Sequence, residues 1–345
     1  MKGVVLEKAG PEPRLVVRDL PLPSLGDYDA LVKVGACGFC HHDLLVMERI
    51  LRRGVTLPLV LGHEIAGEVA DVGARVTAVQ PGDRVVCLPT DACGRCQRCL
   101  QGREHRCLEG RGLGHRVDGG MAQYVAVREA SLVKVPPEIP WEQACLLACP
   151  IGVALQGIDE AHVQAGETVV VTGAGGGLGV HLVQLARSYD ARVLAVTSSE
   201  GKADLLSKLG AHEVIVTGEL DFSEVVLALT EDRGAEVVLD TVGSPLFPGA
   251  LRSLAPSGRM VLLGEVSGRE VRLNLAELIF RDARLIGSVG ASKPHLEQAT
   301  RLIAEDKLRP IVSRVLPWDE VMEAYKLLKS RVSFGRVVLD FTTIS

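Results

Sequence analysis

Val169-Val-Val171-Thr-Gly-Ala-Gly-Gly-Gly-Leu-Gly179 is an apolar, β-branched run that ends in a glycine-rich turn. From Val180 to Tyr189 apolar residues recur at helical spacing, so strand, turn and helix follow in order. Glycines in such a turn let the backbone approach a pyrophosphate seated on the positive end of the helix, where the first N–H groups lack partners. The fingerprint reads Ala174-x-Gly176-x-x-Gly179, with alanine in the first place, and Gly175, Gly177 and Leu178 complete the turn. Working outward, apolar runs at 192–197, 214–216, 236–240, 259–263 and 284–288 alternate with helical stretches. That alternation predicts α/β architecture, a doubly wound parallel sheet covered by helices.

The strand at 192–197 ends where an adenosine ribose would lie, and an acidic residue there would accept from the 2′-hydroxyl of NAD. This chain reads Thr197-Ser198-Ser199-Glu200-Gly201-Lys202 instead. Hydroxyls at Thr197, Ser198 and Ser199 with the ammonium of Lys202 suit a 2′-phosphate, so NADP(H) is favoured over NAD(H). Glu200 keeps the NAD reading open.

The first 150 residues differ in character. Short β-branched runs at 30–34, 68–72 and 84–87, punctuated by Pro-Gly-Asp and Asp-Gly-Gly turns, predict a β-rich domain. Beyond 289 the pattern gives helices at 294–305 and 318–329 and a strand at 335–341. This tail is too short to stand alone and is expected to return to the N-terminal part. The domain boundaries read 1–151, 152–288 and 289–345. With 345 residues and 47% hydrophobic content the chain can bury more than one core. A net charge of −5 and a pI near 6.0 argue against nucleic acid as a partner. No apolar run is seen that reaches the roughly 18 residues of a bilayer span, and no signal peptide is recognised, so a cytoplasmic, non-membrane protein with reduced cysteines is expected.

Four of the nine cysteines, Cys93, Cys96, Cys99 and Cys107, fall within fifteen residues at spacings of three, three and eight. Soft sulfur at every corner of a closed site favours structural zinc over a disulfide pair or an iron–sulfur cluster. Three further segments carry metal-ligand chemistry: Cys37-Gly-Phe-Cys40-His41-His42-Asp43, Gly62-His63-Glu64 and Ala148-Cys149-Pro150. Taken singly, His63 reads as an ordinary histidine and Cys149 as an apolar filler.

The succession Cys, Gly-His-Glu, Pro-Gly-Asp-Arg-Val, four cysteines, Asp-Gly-Gly and nucleotide turn resembles the zinc-containing medium-chain dehydrogenase/reductase family, which includes the alcohol dehydrogenases. The resemblance covers nearly the whole chain. It implies a GroES-like catalytic domain, a Rossmann domain and a tail that rejoins the first. It implies two zinc ions per chain: a structural one on the four cysteines and a catalytic one on Cys40, His63 and Cys149. Glu64 would stand beside the catalytic zinc and Asp43 would orient His63. Cys40 rather than Cys37 matches the ligand position. His41 and Arg336 match cofactor pyrophosphate contacts, and Val242, Gly243, Leu263 and Gly264 match further cofactor contacts at strand tips. Reversible interconversion of an alcohol and its aldehyde or ketone follows, in a homodimer or homotetramer joined at the sheet edge near 284–289.

Two positions depart from the alcohol dehydrogenase pattern. His42 stands where a Ser or Thr usually begins a proton relay, and Leu45 stands where its histidine usually lies. His42 could donate the proton itself or replace the hydroxyl structurally; the sequence leaves both open. Segments 175–201, 240–251 and 279–293 also resemble archaeal acryloyl-CoA reductases, so NADPH-dependent reduction of an enoyl thioester is the alternative. The filled ligand positions disfavour a third reading, a non-catalytic NADPH-binding protein. Substrate-pocket residues are expected around 45–55 and 113–121. The basic group Arg49, Arg52 and Arg53 is read as a solvated loop in preference to a contact with a coenzyme A phosphate.

Overall fold

The eleven-residue strand Asp29–Phe39 is the spine of the N-terminal sheet in the computed structural model, which describes residues 1–217 and 221–344. It pairs antiparallel with Glu64–Val72, with Tyr124–Arg128 and with Arg336–Asp340. That last strand pairs in parallel with Val312–Pro317. One unit therefore comprises Met1–Gly152, Gly290–Ala304 and Pro310–Ser345, and a second comprises Val153–Val289 with Glu305–Arg309. Both long strands extend past the runs at 30–34 and 68–72, and they do so toward chemistry. Asp29–Phe39 delivers the chain to Cys40, and Glu64–Val72 starts one residue after His63. Phe39, Met47, Leu61, Ile65, Met121 and Phe341 fill the core beneath.

In the second unit the sheet contains Thr168–Val171, Arg192–Thr197, Glu213–Val216, Ala235–Asp240, Leu254–Leu262 and Arg284–Gly287. All neighbouring pairs are parallel, and numbered by chain position within this sheet the order is 3-2-1-4-5-6. This is the doubly wound α/β architecture, and its central strands Thr168–Val171 and Ala235–Asp240 are rich in buried valine, as expected where helices cover both faces. The order reverses at Thr168–Val171, so the glycine turn leaves the sheet at its topological switch point.

The expectation of no bilayer-length apolar run is corrected. The helical run Trp141–Ala161 is 21 residues long and apolar enough to cross a membrane by length and composition. Eighty-three per cent of its most apolar window is buried within the protein, so that apolarity belongs to the interior. Glu142, Gln143, Gln156, Asp159 and Glu160 break its pattern in the bare sequence.

Candidate functional site

Cys40 caps the N-terminus of the helix His41–Met47. Three residues on, the fully buried Asp43 turns back on it: Cys40 N–H donates to Asp43 Oδ2 at 2.8 Å, and Gly62 N–H donates to Asp43 Oδ1 at 3.3 Å. One carboxylate thus ties the cysteine of one segment to the glycine that precedes His63. Gly62 has φ +95°, and a Cβ there would stand 2.6 Å from Cys37 Sγ. Cys37 itself is a buried strand residue. His63 Nδ1 lies 3.5 Å from Asp43 Oδ1, within ion-pair reach but not aligned as a hydrogen bond, and Nε2 lies 4.0 Å from Glu64 Oε1.

Cys149 completes the group, standing between the short helical turn Cys145–Leu147 and the helix Pro150–Ala161. Ligand atoms of Cys40, His63, Glu64 and Cys149 lie within 4.8 Å of one another and could hold a metal ion. Two thiolates, an imidazole and a nearby carboxylate form a donor set suited to zinc. A thiol hydrogen bond from Cys149 outweighs burial and brings the Cys40 thiol well below its ordinary range, while the same bond holds Cys149 up. Burial raises Glu64 to about 8 despite the charge of Arg336. Arg336 Nε is 3.0 Å from Glu64 Oε2, close enough for an ion pair but not aligned as a hydrogen bond. Gly38 lies opposite Glu64 in the sheet, and a Cβ there would overlap that carboxylate.

His42 points its ring edge-on to His63, with centroids 5.0 Å apart, and to His115 at 5.1 Å. Burial, with the charges of His63 and His115, pushes His42 down to about 4. Residue-by-residue reading misses His115, although it lies within the 113–121 neighbourhood. No spacing rule links it to His42. His41 is half-buried at the first turn of the same helix.

The four-cysteine loop shows the geometry of a metal cage. All nine cysteines are free. Cys96 Sγ lies 3.5 Å from Cys99 Sγ and 3.9 Å from Cys107 Sγ. Four sulfurs each about 2.3 Å from one ion would stand about 3.8 Å apart, whereas a disulfide needs about 2.05 Å. Backbone N–H groups of Cys93 and Cys96 donate to Cys107 Sγ and Cys93 Sγ. Backbone hydrogen bonds, led by Leu108, bring the Cys96 thiol down to about 6.

In the second unit Gly173 takes φ +58° and its carbonyl accepts from Gly176 N–H at 2.9 Å. Gly179 opens the ten-residue helix Gly179–Ser188 so close to that turn that a Cβ would stand 2.6 Å from Ala174 Cα. Ala174 N–H donates to Val196 O. Lys202 is buried, which lowers its pKa, and its chain crosses Gly175, where a Cβ would meet Lys202 Cδ at 2.6 Å. Thr197 is buried at the strand end, its hydroxyl accepting from Ser199 N–H at 3.3 Å, with the exposed Ser198 between them. At the neighbouring tip the buried Asp240 carboxylate takes the N–H groups of Val242 and Gly243, and Asp240 O takes those of Leu263 and Gly264. Glu265 clamps this tip to the next, accepting from Ser244, Ser267 and Gly268 N–H groups. The sequence carries no signal for that clamp.

Comparison with known proteins identifies the family of the chain. Residues 26–137 match the family described as alcohol dehydrogenase GroES-like domain, and residues 177–305 match that described as zinc-binding dehydrogenase. The chain is 38% identical to an acryloyl-coenzyme A reductase of Metallosphaera sedula, over 98% of this chain and 99% of that protein. It is 32% identical to an NAD-dependent alcohol dehydrogenase of Sulfolobus acidocaldarius, over 99% of this chain and all of that protein. A crystal structure of an NAD-dependent alcohol dehydrogenase superposes with a TM-score of 0.90 at 36% identity, covering 99% of each chain.

Proposed function

The chain belongs to the zinc-containing medium-chain dehydrogenase/reductase family, and from that premise we propose that it interconverts an alcohol and its aldehyde or ketone by hydride exchange with NADP(H). The observation that carries the proposal is the convergence of Cys40, His63 and Cys149, with Glu64 beside them. Zinc held there would polarise the substrate oxygen as a Lewis acid, and the nicotinamide would supply or accept the hydride. Asp43 holds His63 in orientation and fastens Cys40 to Gly62. Arg336, which matches a cofactor pyrophosphate contact, stands against the Glu64 carboxyl. His42 fills the position from which a Ser or Thr serves the substrate proton in alcohol dehydrogenases of this family. The glycine turn Ala174–Gly179, with His41, Val242, Gly243, Leu263 and Gly264, is assigned to the cofactor, and Thr197, Ser198, Ser199 and Lys202 to a 2′-phosphate. Cys93, Cys96, Cys99 and Cys107 hold the second, structural zinc.

A second reading is NADPH-dependent reduction of an enoyl thioester. The 38% identity to an acryloyl-coenzyme A reductase favours it, as does the loss of the usual relay at His42 and Leu45. Zinc per chain by elemental analysis, paired with NADPH oxidation against aldehydes and separately against acryloyl- and crotonyl-CoA, tests both. Zinc filling both groups with aldehyde turnover supports the first reading. Thioester turnover without carbonyl turnover replaces it with the second. Zinc in one group only removes the Cys40, His63 and Cys149 assignment.

A further inference from the structure

Four neighbouring guanidinium groups in the metal-bearing unit have no anionic partner among the described residues. Arg49, Arg52 and Arg53 follow the helix His41–Met47, and Arg116 lies in the 113–121 loop; all four are exposed. Among the described residues their side chains make no ion pair or hydrogen bond. Arg14, Arg18, Arg75, Arg95, Arg111 and Arg336 of the same unit each have a carboxylate within ion-pair reach. Arg98, Arg103, Arg106, Arg301 and Arg314 of that unit are likewise without one among the described residues, so what distinguishes these four is their grouping on two neighbouring loops.

Their loops are joined. His115 Nε2 lies 2.9 Å from Arg53 O, and since a carbonyl only accepts, that nitrogen is the donor. A Cβ at Gly54 would stand 3.1 Å from Arg116 Nε. Arg49 and Arg52 border a cavity of about 350 Å³ whose other walls are Ala9, Val46, Leu51, Val55 and Leu57. Arg49 takes φ +62°, a left-handed conformation uncommon for a residue with a side chain. The same His115 lies against His42, which lies against His63, so adjoining rings connect the metal centre to the arginine loops.

We propose that Arg49, Arg52, Arg53 and Arg116 recognise the phosphorylated end of a substrate that reacts at the metal centre. This rests on the hydride-transfer reading above and names its substrate class. Guanidinium forks match phosphate oxygens in pairs, and several together match a polyphosphate better than a lone carboxylate. Two sources of phosphate fit, a coenzyme A thioester and a polyol phosphate. The apolar walls favour coenzyme A, whose long uncharged stem gains from them, whereas a polyol does not.

The test uses the full-length protein saturated with NADPH, so that the glycine turn is occupied. Calorimetric titration with coenzyme A, and separately with sorbitol 6-phosphate, compares the wild type with the triple variant Arg52→Gln, Arg53→Gln, Arg116→Gln. Coenzyme A is expected to bind the wild type, and the variant about tenfold or more weakly, with a smaller loss on added salt. Unchanged NADPH affinity verifies that the variant is folded. Sorbitol 6-phosphate alone showing this loss retains phosphate recognition and overturns coenzyme A as its source. Equal affinity in both proteins, or no binding of either compound, overturns the proposal. Absence of turnover with every substrate would sink the hydride-transfer reading while leaving this binding comparison to stand on its own result.

Discussion

Asp43 ties together two of the segments that carry the proposed metal ligands. Its carboxylate satisfies two buried N–H groups, on Cys40 and Gly62, and faces the Nδ1 of His63. In Asp43→Ala both donors lose their partner in the interior, where each costs about 1–3 kcal/mol. The ring of His63 also loses its orientation, a change that typically weakens metal binding about 10–100-fold. Chelator competition followed by elemental analysis should show zinc leaving the catalytic group first, with a lowered melting temperature. Retention of that zinc at wild-type affinity would mean the carboxylate does not orient the ligand.

At the scale of elements, two attachments can be tested apart. The four-cysteine loop has little apolar core of its own, so its order should depend on the proposed zinc. Cys96→Ser should lower thermal stability and release one zinc while the other remains, read by elemental analysis alongside calorimetry. The second attachment joins helix His41–Met47 to helix Val321–Lys329. Glu48 accepts from Tyr325 Oη at 2.8 Å and Lys329 Nζ at 2.9 Å. Burial pushes the Glu48 carboxyl up, but these bonds, with the charges of Lys329 and His41, outweigh it and leave the pKa lowered. A depressed carboxyl contributes stability that is fully present above its unfolded pKa, about 4.3, and is lost as pH falls through the lower folded value. Because Lys329 is largely exposed, the contribution should be at most about 1 kcal/mol. Glu48→Gln should therefore cost stability at pH 7 and converge with the wild type below about pH 4. Parallel unfolding curves at both pH values would refute the attachment.

The molecule as a whole consists of two units, to which the proposed metal and cofactor sites are separately assigned. Cys149→Ala removes a thiolate from the first unit, so turnover should vanish while NADPH binding, followed by its fluorescence, stays near wild type. Loss of that binding would count against assigning the cofactor to the glycine turn. Light scattering should find a dimer or tetramer. The helix Leu275–Arg281 buries none of its residues, Phe280 is 87% exposed, and the strand Arg284–Gly287 forms a sheet edge. A monomer would exclude that assembly. Much of this organisation is legible in the sequence for physical reasons. Strand, glycine turn and helix are contiguous, and four cysteines within fifteen residues need no long-range folding to meet. Cys40 and His63 stand beside the ends of long strands and Cys149 before a helix, far apart in sequence, so only the family resemblance points to their meeting. The contacts of His42 with His115, and of His115 with the carbonyl of Arg53, are not legible, because one is a ring edge and the other a backbone atom. The Glu265 clamp is hidden for the same reason, since its N–H partners leave no mark on residue identity.

The strand Arg336–Asp340 also sets a schedule for synthesis. Arg336 reaches Phe39 O across 297 positions of sequence and stands against Glu64. While the ribosome is still adding the second unit, the Ala36–Phe39 part of the strand Asp29–Phe39 has no neighbour on that side and Glu64 lacks Arg336 beside it. The parallel-sheet unit, continuous apart from a short later segment, can collapse first, leaving the metal-bearing unit half-built until the final strand emerges. Nascent chains stalled before that strand would expose a sticky edge to chaperones and to one another.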